Sequence, residues 1–414
     1  MDGTERLDSR AYRRALAETL RADGHLRSAR IAEAIEAVPR ELFVPGVPLD
    51  EVYRPREAIV TKRIDGVSVS SASAPEVVAL MLEQLDPQPG DHVLEIGAGT
   101  GYNAALLAHL VGSRGSVVTL DIDEDLVLGA REHLLRAGYG QVKVVQADGA
   151  LGYPGEHAYD RIMLTVASRD IAPAWREQLA RPSGRLVMPL AMRGLQRCVV
   201  FTPEDDYLVC RAPRGCSFIG LRGLLAAGVQ RVPLDPDGAH VVSGADETPM
   251  LSAEEVAALL RTPARILPSG VATTFEQLRE GLHLWFAAHQ PGMCTLWGGA
   301  QVPDLFGLQD SLRGTLCLMD AKSLVMLAWA NEDRRDGELV VLAPSGTEAL
   351  AEVALGILHD WDRRGRPTDA AAVIRAYPRS RGTPTTPTDA VVLNQRWTRF
   401  VLTWNDQPPA ILTV

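Results

Sequence analysis

Residues 93–101 read Val-Leu-Glu-Ile-Gly-Ala-Gly-Thr-Gly, an apolar strand that runs into a turn with three alternating glycines. Glycine lets the backbone approach a bound molecule where a side chain would collide, and the helix after such a turn begins with free N–H groups. A dinucleotide-binding turn has the spacing G-x-G-x-x-G, whereas Gly97, Gly99 and Gly101 alternate and Glu95 precedes them. The turn therefore predicts a nucleoside-type ligand other than a dinucleotide. The alternative is a glycine-rich strand–helix turn that binds nothing.

Strands and helices alternate between residues 92 and 188. Apolar runs of strand length predict strands at 92–96, 116–120, 142–146, 161–166 and 185–188, with helices near 101–111, 123–137 and 172–180. This alternation implies right-handed crossovers and a mostly parallel sheet covered by helices on both faces, a doubly wound α/β fold. In such a fold the ligand lies at the carboxyl ends of the central strands.

Two acidic residues end the next two predicted strands. Asp121, followed by Ile122, lies about 20 residues beyond the glycines, where an acid accepts hydrogen bonds from ribose hydroxyls. Asp148 and Gly149 follow the third strand, where a short carboxylate can accept from an adenine amino group. Asp123 is the rival to Asp121, but its position fits the N-cap of the following helix better.

The length of 414 residues favours two domains over a single core. We expect a first domain at 1–227, a linker rich in proline and glycine at 228–250, and a C-terminal α+β domain at 251–414. The C-terminal part offers no motif tied to chemistry. Its tryptophans are expected in its core, namely Trp285, Trp297, Trp329 and Trp361.

Net charge and composition limit the kinds of binding partner that the chain can have. A formal charge of −10 argues against non-specific nucleic-acid binding and provides no cationic surface for membranes. The stretch from Met1 to Arg14 is polar, so we expect no signal peptide, no membrane span and a cytoplasmic location. Five cysteines without Cys-x-x-Cys spacing and nine scattered histidines predict no metal site.

Several collinear segments carry a resemblance to a known family. They include Val38-Pro39-Arg40-Glu41-Leu42-Phe43-Val44-Pro45, Ser73-Ala74-Pro75, Ala147-Asp148-Gly149 and Pro182-Ser183-Gly184-Arg185-Leu186. Over residues 10–225 the chain resembles the protein-L-isoaspartate O-methyltransferases. The resemblance implies a Rossmann-like class I methyltransferase domain that uses S-adenosyl-L-methionine, followed here by the C-terminal α+β domain.

The resemblance also implies the site residues. Ser73 matches the family's serine beside the reacting carboxylate, so it is expected to orient the carboxylate oxygens by donating a hydrogen bond. Cofactor contacts are expected from Ser70, Ser71, Ala72, Glu95, Gly97, Ala98, Gly99, Gly101, Asp121, Ile122, Asp148 and Gly149. Substrate contacts are expected from Glu76, Thr165, Val166, Ala167 and Arg222. Glu76 and the stretch 165–167 depart from the family's usual residues, which leaves the substrate open.

The long chain is similar to one branch of such enzymes. The serines before Ala74-Pro75 and the stretch Thr165-Val166-Ala167-Ser168 resemble the methyltransferases of lanthipeptide and graspetide biosynthesis. Those enzymes esterify an ordinary aspartate in a macrocyclic ribosomal peptide, which then forms an aspartimide (a succinimide). We expect this activity, with the C-terminal domain binding the precursor peptide or, alternatively, serving oligomerisation. Repair of isoaspartyl proteins and an inactive cofactor-binding module are the alternatives.

Overall fold

A computed structural model describes residues 3–154, 157–226, 229–235, 240–245, 248–298, 313–330, 336–382 and 386–404. Their strands form a long mixed sheet, a second antiparallel sheet and a separate two-stranded hairpin. Among these residues, no helix combines the length and the apolar character that crossing a bilayer requires.

The elements up to residue 215 build the hairpin and most of the long sheet. The helices are α1 (Gly3–Ala22), α2 (Ala29–Ala37), α3 (Leu49–Val52), α4 (Pro75–Leu85), α5 (Tyr102–Val111), α6 (Glu124–Arg136) and α7 (Pro173–Gln178). The strands are β1 (Ile59–Ile64), β2 (Val67–Ala72), β3 (His92–Ile96), β4 (Ser116–Asp121), β5 (Lys143–Gln146), β6 (Arg161–Leu164), β7 (Arg185–Met192), β8 (Leu195–Glu204), β9 (Tyr207–Arg211) and β10 (Arg214–Gly215).

Five parallel strands form one half of the long sheet, in the order β7-β6-β3-β4-β5, with β5 at its edge. Helices cover both faces, so β3 and β6 read as nearly continuous apolar runs, and Leu94, Ile96, Ile162 and Leu164 are buried. The doubly wound prediction is confirmed. The crossover connections run in opposite directions on the two sides of β3, and because the strands are parallel the carboxyl ends of β3, β4 and β6 lie together at one end of the sheet.

The elements after residue 228 build the second sheet and complete the first. The strands are β11 (Val229–Pro233), β12 (Val241–Ala245), β13 (Ala264–Thr274), β14 (Met293–Trp297), β15 (Arg313–Met319), β16 (Leu324–Trp329), β17 (Asp336–Pro344), β18 (Ala372–Pro378), β19 (Val391–Asn394) and β20 (Thr398–Trp404). The helices are α8 (Ala253–Arg261), α9 (Phe275–Gln277), α10 (His283–His289) and α11 (Glu348–Arg363), with a π-helical turn at Leu278–Leu282 between α9 and α10.

The second sheet is antiparallel, in the order β11-β12-β14-β15-β16-β17-β13. Helices α10 and α11 pack on one face of it, and Trp285, Phe286 and Trp361 are buried there. A capping box formed by Ser252 and Glu255 starts α8. The extra α+β region is therefore a sheet with helices packed on its faces.

The strands do not follow the predicted boundaries. Strands β11 and β12 pair with each other inside the stretch expected as a linker, whose residues 228, 236–239, 246 and 247 lie outside the described part. Strands β18–β20 join the first sheet, because β18 pairs with β9. Strand β9 would otherwise leave its outer N–H and C=O groups unpaired, and the returning chain satisfies them. The assignment of separate roles to residues 1–227 and 251–414 stays a prediction.

A buried ion pair ties β8 to the turn between α11 and β18. The Arg197 Nε of β8 donates to the Asp369 Oδ2 at 2.6 Å, and the two side chains are 4% and 7% exposed. The Arg197 Nη2 also donates to the Arg279 carbonyl at 2.9 Å. Removing one partner of a buried pair leaves an uncompensated charge, so this contact resists displacement.

Candidate active site

The glycine turn lies at the end of β3, where its backbone requires glycine. Gly97 has a φ of +100°, and a Cβ at this position would lie 2.5 Å from the Thr165 Oγ1. Gly99 has a φ of +51°, and its Cβ would lie 3.8 Å from the Ser70 Oγ and the Ser71 carbonyl of the hairpin. The turn is thus closely approached by β6 on one side and by the β1–β2 hairpin on the other.

Asp121 ends β4 beside this turn. Its Oδ2 accepts a hydrogen bond from the Gly99 N–H at 2.9 Å, and its Oδ1 accepts from the Asp123 N–H at 3.3 Å. Burial raises the pKa of Asp121, the backbone hydrogen bonds opposing the shift. Asp121 and Ile122 line the same cleft as Gly97, Ala98 and Gly99, so sequence placed these residues together correctly.

Asp148 is held by main-chain donors. Its Oδ1 accepts from the Ala150 N–H at 2.9 Å and its Oδ2 from the Leu224 N–H at 2.7 Å. Gly149 lines the cleft, whereas Asp148 lies behind it. The carboxylate therefore ties the segment around Leu224 to the end of β5, in addition to any contact with a ligand.

Glu95 lies beneath the turn and is fully buried. Its Oε1 accepts from the Asn103 Nδ2 at 2.7 Å and its Oε2 from the Thr119 Oγ1 at 2.5 Å. Burial raises the pKa of Glu95 to about 7. Asn103 does line the cleft, and its Oδ1 is buried without a hydrogen-bond partner among the described residues. Asn103, which sequence reasoning missed, is the group of this pair that can reach a ligand.

The predicted serine segment lies opposite the glycine turn. Ser70, Ser71, Ala72 and Ser73 all line the cleft, and α4 begins just after them with Pro75 at its first turn. Among the described residues the Ser73 hydroxyl forms no hydrogen bond, so it can donate to a ligand.

Arg40 holds this segment in place. Its side chain is fully buried, its Nη2 donates to the Ser73 carbonyl at 2.9 Å, and its Nε donates to the Val52 carbonyl at 3.0 Å. The guanidinium also lies 4.9 Å from the centre of the Tyr102 ring. Sequence reasoning quoted Arg40 as part of a motif but gave it no role; its position beside the apolar residues Val38 and Leu42 was the available signal.

Most residues predicted to contact substrate line the cleft. Glu76, Thr165, Val166 and Arg222 do so, whereas Ala167 is buried behind the surface, where it bridges to Gly220. Glu76 already has two nitrogen partners, with the Arg56 Nε and the His25 Nε2 each 3.6 Å from its Oε2. Gly101, predicted to bind the cofactor, instead starts α5 and packs on α6 near Ala130 and Leu134.

Asp123 occupies the N-cap of α6, but its side chain caps nothing. It accepts two hydrogen bonds from Arg222, at 3.0 Å and 2.7 Å, and one from the Lys62 Nζ at 2.7 Å. Lys62 lies on the hairpin and Arg222 on the segment after β10, so Asp123 links both across the rim of the cleft. The strongest role for Arg222 in the structure is this ion pair.

The cleft is large, with a volume of about 1300 Å³. Pockets for small ligands span about 300–1,000 Å³, so this cleft holds more than a single nucleoside-sized ligand. Its far side comes from the second sheet, which sequence reasoning did not place near the site. We call the following six residues the appended wall: Arg231, Ser243, Phe275, Arg279, Thr295 and Trp297.

Comparison with known proteins identifies the family. The model of the protein-L-isoaspartate(D-aspartate) O-methyltransferase (PCMT) family matches residues 11–225. The chain belongs to this family. A protein-L-isoaspartate O-methyltransferase of Methanopyrus kandleri is 41% identical over 221 residues, which cover 52% of this chain and 95% of the relative. Protein-L-isoaspartate O-methyltransferase 2 of Archaeoglobus fulgidus is 42% identical over 218 residues, with the same coverage of 52% and 95%.

A solved protein-L-isoaspartate O-methyltransferase shares the fold more widely. It is 23% identical with a TM-score of 0.50, and the match covers 88% of this chain and 96% of the solved one. As a member of the family, this chain uses S-adenosyl-L-methionine and transfers a methyl group to a carboxylate oxygen. The described residues contain no group of three or more histidine, cysteine, aspartate or glutamate side chains placed to hold a metal ion.

Proposed function

We propose that this chain methylates the free carboxylate of isoaspartyl residues in proteins or peptides. The relatives named for that activity align with 41–42% identity along the whole first half of the chain, and this is the main support. The observation that carries the proposal is the shared cleft, where the unpartnered hydroxyl of Ser73 and the glycine turn both face the same space.

The residues present fit the methyl donor. The turn at Gly97–Gly99 leaves no room for a Cβ at Gly97, and Asp121 lies at the end of the neighbouring strand. The buried, unpartnered Asn103 Oδ1 can accept from the ammonium of the amino-acid part. We assign the ribose to Asp121 and Ile122, the base to the end of β5 around Asp148 and Gly149, and the methionine part to Ser70–Ala72 and Asn103.

The reaction demands little acid–base work from the protein. When bound, S-adenosyl-L-methionine supplies a methyl group on a sulfonium centre, which passes to the carboxylate oxygen with release of S-adenosyl-L-homocysteine. A carboxylate with a pKa near 4 is already ionised at neutral pH, so no general base is required. The protein contributes alignment, which can be worth about 7–11 kcal/mol. We assign this to Ser73 as donor to the carboxylate, on a segment that Arg40 keeps rigid.

Aspartimide formation on a modified ribosomal peptide is the second candidate. The observation that favours it is the size of the cleft and the wall that the second sheet adds. The relatives do not support it, because the similar proteins of Methanopyrus kandleri and Archaeoglobus fulgidus carry isoaspartate methyltransferase names. The match of the solved isoaspartate methyltransferase also extends over 88% of this chain, so a long chain is compatible with repair.

Mass spectrometry of matched peptides tests the proposal. We would incubate the protein and S-adenosyl-L-methionine with a linear peptide containing isoaspartate, the same peptide containing aspartate, and a lactam-cyclised aspartate peptide. We expect the mass of one methyl ester on the isoaspartyl peptide, followed by loss of methanol. Faster turnover of the cyclised aspartate peptide would instead support peptide maturation. Donor binding without methyl transfer to any of the three would contradict both.

A further inference from the structure

We infer that the appended wall binds an acidic peptide segment next to the residue that is methylated. This inference rests on the proposed function, because it names the kind of sequence around the target carboxylate. It is based on charge, exposed aromatic groups and the fixed position of the second sheet.

The cleft carries charge of the opposite sign to the whole protein. Nine arginines and two acidic residues are among the described residues that line it, although the chain has a formal charge of −10. Two of these arginines, Arg197 and Arg222, form ion pairs with aspartates that do not line the cleft, and arginines still outnumber acidic residues among the rest. The two acids are Glu76 and Asp121, and both lie on the side of the first sheet. A concave surface of one sign raises the local concentration of ligands of the other sign. A cationic cleft in an acidic protein therefore favours an acidic partner.

The arginines of the wall are available to a ligand. Arg231 is exposed and forms no ion pair with any described residue. Among the residues that the structure describes, the Arg279 side chain forms an ion pair with its neighbour Glu280 alone, at 2.9 Å, with the two side chains 59% and 44% exposed. An exposed pair of this kind contributes little and can exchange partners. By contrast, Arg197 is buried and satisfied by Asp369, so it supports the wall without facing the partner.

Two exposed aromatic side chains line the cleft together with these arginines. Phe275 is 54% exposed and Trp297 is 49% exposed, and both line the cleft. In the described part of the chain, only Tyr12 is another aromatic side chain with comparable exposure. The Trp297 indole N–H donates to the Ser243 Oγ at 2.8 Å, so the ring is held in place. Fixed aromatic rings beside arginines are typical of the residues that dominate peptide binding energy.

Contacts between the two sheets fix the position of the appended wall relative to the glycine turn and Ser73. Arg193 of the first sheet donates to the carbonyls of Ala287 and Ala288, at 3.2 Å and 2.7 Å. The neighbouring Gly194 approaches the Met293 carbonyl, which would lie 3.6 Å from a Cβ at this glycine. A peptide with its reacting carboxylate at Ser73 therefore meets the wall at a constant separation, and the binding energy of its flank can be used to align the carboxylate.

Two isoaspartyl peptides that differ only in their flanks test the inference. One carries aspartate and glutamate on both sides of the isoaspartyl residue, and the other carries serine and glutamine. For the natural protein we expect KM for the acidic peptide to be lower by about 10-fold, and this advantage should shrink at high ionic strength. Labelled peptides bound in the presence of S-adenosyl-L-homocysteine give the affinities independently of turnover.

Variants of the wall identify its contribution. The double substitution Arg231→Gln, Arg279→Gln should reduce the 10-fold preference to about 2-fold or less. Phe275→Ala should weaken both peptides by a similar factor, about 5-fold, because an apolar contact does not distinguish the flanks. Arg261→Gln changes an exposed arginine of α8 outside the cleft and should leave the preference unchanged.

The outcomes separate this inference from the proposed function. Equal KM values for the two peptides would contradict the inference that the appended wall binds an acidic flank. A preference for the acidic peptide that remains after the double substitution would contradict it as well. Neither result would contradict isoaspartyl methylation. Arginine-dependent binding of the acidic peptide without methyl transfer to either peptide would support the wall and overturn the proposed function.

Discussion

The two sides of the cleft are built in different ways. On the side of the first sheet, backbone turns and buried groups shape the site, as in Gly97 with its φ of +100° and Glu95 with no exposed surface. On the side of the second sheet, exposed side chains such as Phe275 and Trp297 face the space. The difference indicates that the donor side has little freedom to vary, whereas the wall can be changed without disturbing the fold. Substrate choice is therefore expected to lie in the wall.

The largest expected effect comes from Gly97→Ala. A side chain at this φ adds strain of about 1–2 kcal/mol, and its Cβ would lie 2.5 Å from the Thr165 Oγ1. We expect the affinity for S-adenosyl-L-homocysteine in calorimetry to fall by at least about 100-fold. Gly90→Ala is the matched control, with a φ of +95° and no atom within 4 Å of the added Cβ. An equal loss of S-adenosyl-L-homocysteine affinity in the two variants would contradict the difference between the two sides of the cleft. The glycine turn would then be no more constrained than a turn far from the site.

Glu95→Gln probes the buried layer beneath the turn. Burial raises the pKa of Glu95 from its ordinary value of 4.5 to about 7, so the folded protein binds this proton more tightly than the unfolded chain. Its contribution to stability is fully present below pH 4.5 and is lost as pH rises through 7. The stability of the glutamine variant relative to the natural protein should therefore rise by about 3 kcal/mol between pH 4.5 and 8.

Urea unfolding of both proteins at several pH values measures the difference between their free energies of unfolding. The contributions of the other titrating groups cancel in this difference because both proteins contain them. Glu132→Gln, at a side chain that is 70% exposed on α6, serves as the control and should show no such trend. A pH-independent difference for Glu95→Gln would mean that the carboxylate is not desolvated beneath the turn.

Ser73→Ala tests whether the Ser73 hydroxyl serves the substrate or the methyl donor. Loss of a hydrogen bond to a charged group costs about 1.5–3 kcal/mol, so we expect kcat for the isoaspartyl peptide to fall by about 30-fold. The affinity for S-adenosyl-L-homocysteine should stay within about 2-fold, because the hydroxyl is assigned to the substrate. The same change at Ser113, which is exposed and outside the cleft, provides the control. Parallel losses of turnover and donor affinity would make Ser73 a structural residue.

The smallest expected effect is at the rim. Asp123→Asn weakens the contacts to Arg222 and Lys62, which are partly exposed, and should lower the donor affinity by about 5-fold. Asp125→Asn is the matched control on the same helix, because Asp125 is 63% exposed and contacts Lys62 alone. Stopped-flow dissociation of S-adenosyl-L-homocysteine distinguishes them: the first variant should release it faster, and the second should not. Equal dissociation rates for the two variants would show that the contacts of Asp123 at the rim do not hold the donor.

The same contrast explains what the sequence could predict. The glycine turn, Asp121 and the strands between 92 and 188 follow from local patterns, because spacing along the chain fixes which groups reach the ends of parallel strands. Glu95 and Gly101 were predicted as ligand contacts but lie behind the turn, since a glycine motif records backbone shape and not which atom faces the ligand. Asn103 was missed because one amide on a helix carries no pattern of its own.

The wall could not be predicted, because it depends on pairings between distant segments. Trp297 was expected in a core, and its exposure follows from the place of β14 opposite the first sheet. Likewise, β18 pairs with β9 although the strands of the second sheet lie between them in the chain. No local pattern specifies the register of such a pairing. Long-range strand pairing decides both the domain boundaries and the far side of the cleft.

A crystal structure of the protein with S-adenosyl-L-homocysteine and an isoaspartyl peptide would show both sides of the cleft occupied at once. We expect the nucleoside between Asp121 and Gly149, the free carboxylate of the isoaspartyl residue within hydrogen-bond distance of the Ser73 Oγ, and the peptide flank against Phe275, Arg279 and Trp297. A nucleoside bound away from the glycine turn, or a carboxylate held by other groups with Ser73 unengaged, would rule out this arrangement.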